Sequence, residues 1–133
     1  MLDRPQRRIR FVECEIDRVD NGFHARVVLA DGDQTTVSGT ADREQGQDAD
    51  LWCAADATVA ALRGLLDLSP EALTLKEVVQ FQIEGSPAVA TSLRVFVDGK
   101  KRKLFGLTQA DDDRGRSAAL SVLNATNRFF TNG

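Results

Sequence analysis

The chain has 133 residues and a mass of 14.5 kDa, the size of one domain that buries its own hydrophobic core. Hydrophobic residues make up 42% of the sequence and charged residues 28%, which is typical of a globular protein. The net charge of −3 gives no general attraction to nucleic acid or to an anionic membrane, and no stretch approaches the roughly 20 apolar residues of a membrane-spanning helix.

The amino-terminal residues 1–11 are basic and contain no apolar run, so we expect no secretory signal there. The two cysteines, Cys14 and Cys53, lie far apart and share no repeated spacing. Cysteines in this arrangement are typical of free thiols in a reducing compartment. The sequence therefore predicts a cytoplasmic protein without disulfides.

Three strand-like runs come first, at residues 8–19, 23–30 and 33–41. Midway along the first run the apolar alternation shifts by one residue, which indicates a β-bulge. Residues 20–22, Asp-Asn-Gly, predict a type I′ hairpin turn because Asn and Gly tolerate positive φ. Together these signals predict an antiparallel meander of three strands.

The clearest element is a helix within residues 46–67, preceded by a polar loop at residues 42–48. Asp48 is the predicted N-cap, and Ser69-Pro70 marks the end of the helical segment. The predicted apolar stripe has the spacing of an amphipathic helix. Its members are Leu51, Ala55, Thr58, Leu62 and Leu65.

The same order of elements then repeats, with strands at residues 73–83, 89–97 and 101–110, a charged loop at residues 111–116 and a helix at residues 117–130. Asp31-Gly32 aligns with Asp98-Gly99, Gly39 with Gly106, and Arg63 with Arg128.

We therefore predict a single domain of residues 1–133, made of two βββα units at about residues 8–68 and 72–130. The fold class is α+β, with a mainly antiparallel sheet, two helices packed on it and pseudo-twofold symmetry.

This pattern resembles the carboxy-terminal regulatory domain of the 2-isopropylmalate and citramalate synthases. The closest likeness is the final segment Ser117 to Phe130, with its small residues and its Leu-Asn-Ala-x-Asn-Arg ending. The resemblance implies a homodimer, and a small carboxylate or amino-acid effector bound near the loops before the helices. Carried over by position, the ligand-binding residues are Glu44, Gly46, Asp48, Asp112, Arg114, Gly115 and Arg116.

The residue pattern favours a protein that is not an enzyme. His24 is the only histidine and lies within a strand, so we expect it to point outward rather than to activate a nucleophile. Cys14, Cys53 and His24 lack the paired spacing of zinc ligands, and no glycine-rich phosphate-binding motif occurs. We predict no catalytic residue, no metal and no cofactor.

Two charged clusters have competing interpretations. Asp111–Asp113 offers oxygen ligands to a hard cation but is more often a solvated helix cap. Arg114 and Arg116, together with the amino terminus of the helix, could instead bind an anion such as a carboxylate. Lys100–Lys103 offers phosphate contacts, but no interleaved aromatic accompanies it in the sequence, so we interpret it as a solvated strand edge. We predict neither a nucleic-acid nor a membrane partner.

The favoured function is a non-catalytic small-molecule-sensing or regulatory module that dimerises. The alternative is a structural or protein-interaction module without a ligand site. The first loop lacks the Gly-x-Gly-Pro of the synthase domain, and apolar strand positions such as Val28 and Phe96 favour this alternative. An enzyme using Asp112 and Asp113 is the third interpretation, and it lacks a visible base, nucleophile or metal constellation.

Overall fold

The computed structural model describes residues 9–32 and 35–130, and the predicted basic amino terminus lies outside them. The described residues form six strands and two helices in the predicted order βββαβββα. The strands are β1 (Ile9–Val19), β2 (Gly22–Asp31), β3 (Thr35–Glu44), β4 (Leu73–Ile83), β5 (Ser86–Val97) and β6 (Lys100–Gln109). The helices are α1 (Ala49–Leu66) and α2 (Arg114–Phe130).

The strands form two antiparallel three-stranded sheets, which we call the first sheet (β1-β2-β3) and the second sheet (β4-β5-β6). The predicted bulge in β1 is confirmed, between Phe11 and Glu13, and β4 has the same irregularity between Leu75 and Glu77. The duplicated α+β fold is therefore confirmed, with its antiparallel strands divided between two sheets.

Helix α1 packs on β2 and β3, α2 packs on β5 and β6, and the two helices contact each other. The predicted apolar stripe of α1 is confirmed, because all five of its members are buried. Burial extends further around this helix to the small side chains of Ala54, Ala57 and Ala61. It does so because β4 and α2 cover sides of α1 that the first sheet does not.

Two glycines allow the helices to approach the sheets closely. A Cβ on Gly39 would lie 2.3 Å from the backbone nitrogen of Ala61, and one on Gly106 would lie 1.9 Å from the carbonyl oxygen of Ser121. The predicted alignment of Gly39 with Gly106 is confirmed by these matching contacts.

The two halves exchange contacts reciprocally. Arg63 of α1 donates hydrogen bonds of 2.9 and 2.6 Å to the carbonyl oxygen of Leu73, the first residue of β4. Asn127 of α2 donates one of 3.2 Å to the carbonyl oxygen of Ile9, the first described residue of β1. Arg63 therefore corresponds to Asn127, and its predicted alignment with Arg128 is wrong by one residue. Matching residue types aligned two arginines that have different positions.

The registers also show where the halves differ in length. The two bulges and the hairpin registers place Arg26 on Ala90, and β5 continues two residues further than β2 before its turn. Gly32 and Gly99 both have positive φ after these strands and stand seven residues before Gly39 and Gly106, which agrees with the predicted match of Asp31-Gly32 with Asp98-Gly99.

The predicted type I′ turn in residues 20–22 is wrong, because neither Asn21 nor Gly22 has positive φ. Among the described residues, two successive positive φ values occur at Glu84-Gly85 (51° and 80°) and at Asp98-Gly99 (56° and 76°). Gly22 has a different role, since a Cβ there would lie 1.9 Å from the carbonyl oxygen of Arg43. The glycine permits close pairing of β2 with β3.

The start of α1 agrees with the prediction and the start of α2 does not. Asp48 is the N-cap residue of α1, but its backbone is left-handed (φ 54°) and its side chain makes no capping hydrogen bond. Helix α2 begins three residues earlier than predicted, because Asp113 caps it by accepting a 3.0 Å hydrogen bond from the backbone nitrogen of Arg116. Arg114, Gly115 and Arg116 therefore lie in the first turn of α2 and not in a loop.

Candidate functional site

The first turns of the two helices meet at an ion pair. The Nε of Arg114 lies 2.6 Å from Oδ2 of Asp50, and its Nη2 lies 3.0 Å from Oδ1, so the pair is bidentate. Counting back from Ala57 and Ser121, which lie over the paired glycines Gly39 and Gly106, Asp50 and Arg114 occupy the same position in the two helices. The pair therefore lies at the pseudo-twofold axis.

The guanidinium of Arg114 also binds two further groups of the chain. Its Nη1 donates a 2.6 Å hydrogen bond to Oε1 of Gln80 in β4, and its Nη2 lies 3.3 Å from Oδ1 of Asp48. Arg114 thus connects the segment before α1, the first turn of α1 and the second sheet. This contact brings the two predicted loops together.

The ion pair shifts the pKa values of both Asp50 and Arg114. The hydrogen bond from Arg114, assisted by its charge, holds the pKa of the Asp50 carboxyl below its usual value against the opposing effect of burial. The same hydrogen bond raises the pKa of the Arg114 guanidinium. The pair is therefore ionised at neutral pH and stabilises the junction of the halves.

A cavity of about 280 Å³ opens beside Arg114, and we call it the junction cavity. Its apolar wall comes from α1, β5 and the segments flanking β5 and β6, namely Leu51, Pro87, Val89 and Ala110. Its polar groups are Gln80, Asp111, Asp112, Arg114 and Ser117. Apolar walls with a few convergent polar groups are the usual composition of small-molecule sites.

The charges around the junction cavity are unevenly matched. Arg114 is neutralised by Asp48 and Asp50, and Arg116 lies 3.0 Å from Oδ2 of Asp111. Within the described part of the chain, no cation pairs with the exposed carboxylate of Asp112. Both arginines already bind carboxylates of the protein, so the free charge facing this cavity is negative.

The structure separates the predicted ligand residues into three groups. Asp112 and Arg114 line the junction cavity. Asp48 does not line it but binds Arg114. Arg116 is exposed beside Asp111, and Gly115 is buried, where a Cβ would lie 2.7 Å from Sγ of Cys14. The third group, Glu44 and Gly46, lies outside the junction cavity.

Glu44 and Gly46 do not line the junction cavity. Glu44 borders a separate, open groove of about 340 Å³ formed by the β1–β2 hairpin and the end of β3. Gly46 is exposed and its carbonyl oxygen accepts a 3.2 Å hydrogen bond from the backbone nitrogen of Ala49. We favour the junction cavity over the larger groove because Leu51 of the first half and five polar groups of the second half line it together, and Arg114 among them binds the first half through Asp50.

Sequence reasoning missed Asp50, Leu51 and Gln80. Asp50 was detectable in principle, since the correct alignment of the repeats pairs it with Arg114. No sequence pattern marks Gln80 as a site residue, because its contact with Arg114 depends on how β4 packs against α2. Leu51 was recognised only as a core residue.

Burial makes both thiols poor nucleophiles. It raises the pKa of Cys14 to about 12 and that of Cys53 to about 11. The Sγ of Cys53 also donates to the carbonyl oxygens of Ala41 and Phe23, at 3.3 and 3.5 Å.

Maleimide labelling at neutral pH tests this burial. We expect both thiols to react at least about a hundredfold more slowly in the folded protein than in the unfolded chain, because the thiolate is the reactive form. Labelling in denaturant is the control for reagent quality. Rapid modification of either cysteine in the folded protein would contradict the burial described.

His24 lies on the side of the first sheet that faces away from α1, as predicted. Its Nδ1 lies 2.7 Å from Oδ1 of Asp42 on the neighbouring strand, and this is its only hydrogen bond among the described residues. Across residues 9–32 and 35–130, no group of three or more His, Cys, Asp or Glu side chains is arranged to hold a metal ion.

The basic turn at residues 100–103 does have aromatic neighbours. Lys101 pairs with Phe96 across β5 and β6, and Phe105 follows two residues after Lys103 on the same side of β6. No aromatic is interleaved with the basic residues in the sequence, but the folded strands place two beside them. Strand pairing brings together residues that the sequence keeps apart.

No protein-family model matches the chain, and no curated protein matches it. In the part of the chain that the structure describes, neither helix has the length and apolar character needed to cross a membrane. Any function must therefore be inferred from the geometry of the chain itself.

Proposed function

We propose that the chain is a non-catalytic regulatory module of the cytoplasm that senses an amino acid in the junction cavity and acts as a homodimer. One observation carries the proposal: Arg114, which binds Asp50 in the first half and Gln80 in the second, lines a single cavity together with Leu51 of the first half and polar groups of the second. The resemblance to the regulatory domain of 2-isopropylmalate and citramalate synthases supports it, since that domain binds its effector near the corresponding segments.

An amino acid suits this cavity better than a simple carboxylate. The unpaired carboxylate of Asp112 is available to an ammonium group, whereas Arg114 and Arg116 are already paired with carboxylates. Leu51, Pro87 and Val89 offer an apolar wall to the side chain of the ligand. A volume of about 280 Å³ is at the small end of ligand sites, which favours a ligand of this size.

A ligand here is placed to influence how the halves meet. It would contact Arg114, which binds Asp50 in α1 and Gln80 in β4. A change in either contact alters the packing of one half on the other. Regulation requires only that the ligand bind one of these arrangements more tightly.

Calorimetry and thermal-shift screening of amino acids, 2-oxo acids and 2-hydroxy acids test the ligand proposal. We expect at least one amino acid to raise the melting temperature, because a ligand that binds only the folded state stabilises it. Asp112→Asn should weaken that ligand about tenfold or more by removing the partner of its ammonium group.

Asp17→Asn, which removes an equally exposed carboxylate from β1, is the matched control and should bind as the wild type does. A screen without any stabilising compound, or a ligand indifferent to Asp112→Asn, would overturn the proposed site.

A second candidate function is protein interaction without a ligand site. One observation favours it: β6 exposes Phe105 and Leu107, which are 63% and 48% accessible. A specific partner that binds through these side chains, combined with no response to any small molecule, would support this alternative.

A further inference from the structure

The two sheets correspond strand by strand but differ on their outer faces, the faces turned away from the helices. In the first sheet, one cross-strand row consists of Glu15, Arg26 and Thr40. The corresponding row of the second sheet consists of Val79, Ala90 and Leu107. At equivalent positions, charged and polar side chains are replaced by apolar ones.

On the outer face of the first sheet, charged side chains pair with one another, so this face is suited to contact with water. Arg26 lies 2.6 Å from Glu13 and 2.6 Å from Glu15, so its charge is matched on its own face. His24 and Asp42 form a further pair at 2.7 Å. Covering this face would desolvate several ionised groups, which is costly.

The outer face of the second sheet is less suited to contact with water, because it is largely apolar. Six large apolar side chains on it are between 39% and 63% accessible: Val79, Phe81, Ile83, Phe96, Phe105 and Leu107. Contiguous exposed apolar surface of this kind marks an interaction site. The duplicated fold supplies an internal control, because the equivalent face of the first sheet carries no such patch.

We propose that the outer face of the second sheet is where two copies of this chain meet, with their β5 strands antiparallel across a twofold axis near Ala90. The inference rests on the homodimer of the proposed function and identifies its surface. It does not depend on the junction cavity, which lies at the start of α2.

The basic residues favour this arrangement. Arg94, Lys101 and Lys103 occupy one end of the face, and the other end, at Ile83 and Ser86, is uncharged. Glu77, beside Ser92, is an exposed carboxylate between the two ends. With the strands antiparallel, the basic end of each copy lies over the uncharged end of the other. A twofold axis along β5 would instead place Arg94 against its own copy, which repulsion disfavours.

The face also offers a matching cavity. A groove of about 260 Å³ runs between Ala88, Leu107 and Gln109 on β5 and β6. In the antiparallel arrangement, Phe105 of the second copy lies over Gln109, at this groove. Each copy therefore supplies both an exposed aromatic and a recess for the other's aromatic, as an isologous interface requires.

The size of the face agrees with a weak to moderate dimer. Three strands spaced about 4.8 Å apart and about 10 residues long cover roughly 500 Å² in projection. Protruding side chains raise the accessible area above this value, toward the roughly 600 Å² per partner at the lower limit of stable interfaces.

Sedimentation velocity across a concentration series tests the proposal. We expect the wild-type chain to dimerise, and Leu107→Lys to weaken dimerisation at least about a hundredfold by placing an unpaired charge in the interface. The control is Thr40→Lys, the equivalent position of the first sheet, which should leave the dimer unchanged. Circular dichroism verifies that both variants are folded.

Thiol cross-linking with a short bismaleimide tests the arrangement, because sheets packed face to face lie about 10 Å apart, too far for a direct disulfide. Ala90→Cys, next to the axis, should be cross-linked to its copy, and Phe96→Cys should not. Cross-linking at both positions would indicate the parallel arrangement and contradict the antiparallel one.

Two further results would overturn the proposal. One is a wild-type chain that stays monomeric at the highest concentrations measured. The other is a monomer that binds a labelled oligouridine through this face, since Phe96, Phe105 and the nearby basic residues would then serve single-stranded nucleic acid. The amino-acid response of Leu107→Lys, measured separately, distinguishes failure of the dimer from failure of the ligand site.

Discussion

Replacing Gly106 with valine is expected to lower the free energy of unfolding by about 3 kcal/mol, because the new side chain cannot fit between β6 and α2. A Cβ at this position would lie 1.9 Å from the carbonyl oxygen of Ser121 and 2.9 Å from the backbone nitrogen of Ala125. Both contacts involve helix backbone, so the whole helix must move. Denaturant unfolding measures the change.

Gly39→Val should have a similar effect in the first half, since its Cβ would lie 2.4 Å from the carbonyl oxygen of Ala57. The matched control is Gly46→Val, where a Cβ meets no atom within 4 Å and φ is not in the left-handed region. If Gly106→Val were as stable as Gly46→Val, the close approach of helix and sheet would be contradicted.

Arg114→Gln is expected to cost about 2 kcal/mol of stability at neutral pH, since it leaves the carboxylates of Asp48 and Asp50 without their cation. These groups are partly exposed, so the effect is smaller than for a fully buried pair. In a double-mutant cycle with Asp50→Asn, the coupling should exceed that of the Arg43–Asp56 pair, whose single contact measures 3.1 Å. Equal coupling energies in the two pairs would contradict the stronger contribution expected of the Arg114–Asp50 pair.

The pH dependence of the two carboxylates differs in sign. The folded-state pKa of Asp50 lies below the ordinary 3.8, so its contribution to stability is present above that pH and is lost as pH falls through the folded-state value. Burial raises the pKa of Asp56 above 3.8 despite its pairing with Arg43, so its contribution is present below pH 3.8 and lost as pH rises. Asp50→Asn should therefore reduce the loss of stability in acid, and Asp56→Asn should not.

The fold was largely predictable because its main features follow from hydrophobic periodicity and from the internal repeat. The bulge in β1, the apolar stripe of α1 and the pairing of Gly39 with Gly106 all followed from periodicity and from the repeat. Each of these signals depends on residues close together in the sequence or on identical residues in the two halves.

The helix starts were less predictable because they depend on competing hydrogen bonds. Asp48 and Asp113 both precede a helix, but only the side chain of Asp113 caps one, whereas the side chain of Asp48 binds Arg114 in the other half. The cap at Asp113 places Gly115 in α2 and not in the predicted loop, and there it lies against Cys14 of β1. These outcomes depend on tertiary contacts that no local window contains.

The candidate site was predicted only in outline. The convergence of the segments before the two helices followed from the repeat, and Asp112 and Arg114 were named in advance. The state of Arg114 could not be predicted, since its partners Asp50 and Gln80 are brought to it from α1 and β4 by the packing of the two halves. Of the two predicted ligand classes, a small carboxylate or an amino acid, that pairing favours the amino acid because of its ammonium group.

The most direct test of the account is a nuclear magnetic resonance titration of the ¹⁵N-labelled chain with the amino acid that gives the largest thermal shift. The proposed site predicts that the perturbed backbone amides cluster at residues 48–51, 80, 87–89 and 110–117, around the junction cavity. Perturbations centred on residues 19–23 and 42–44, at the groove beside Glu44, would contradict it, as would a spectrum that no amino acid changes.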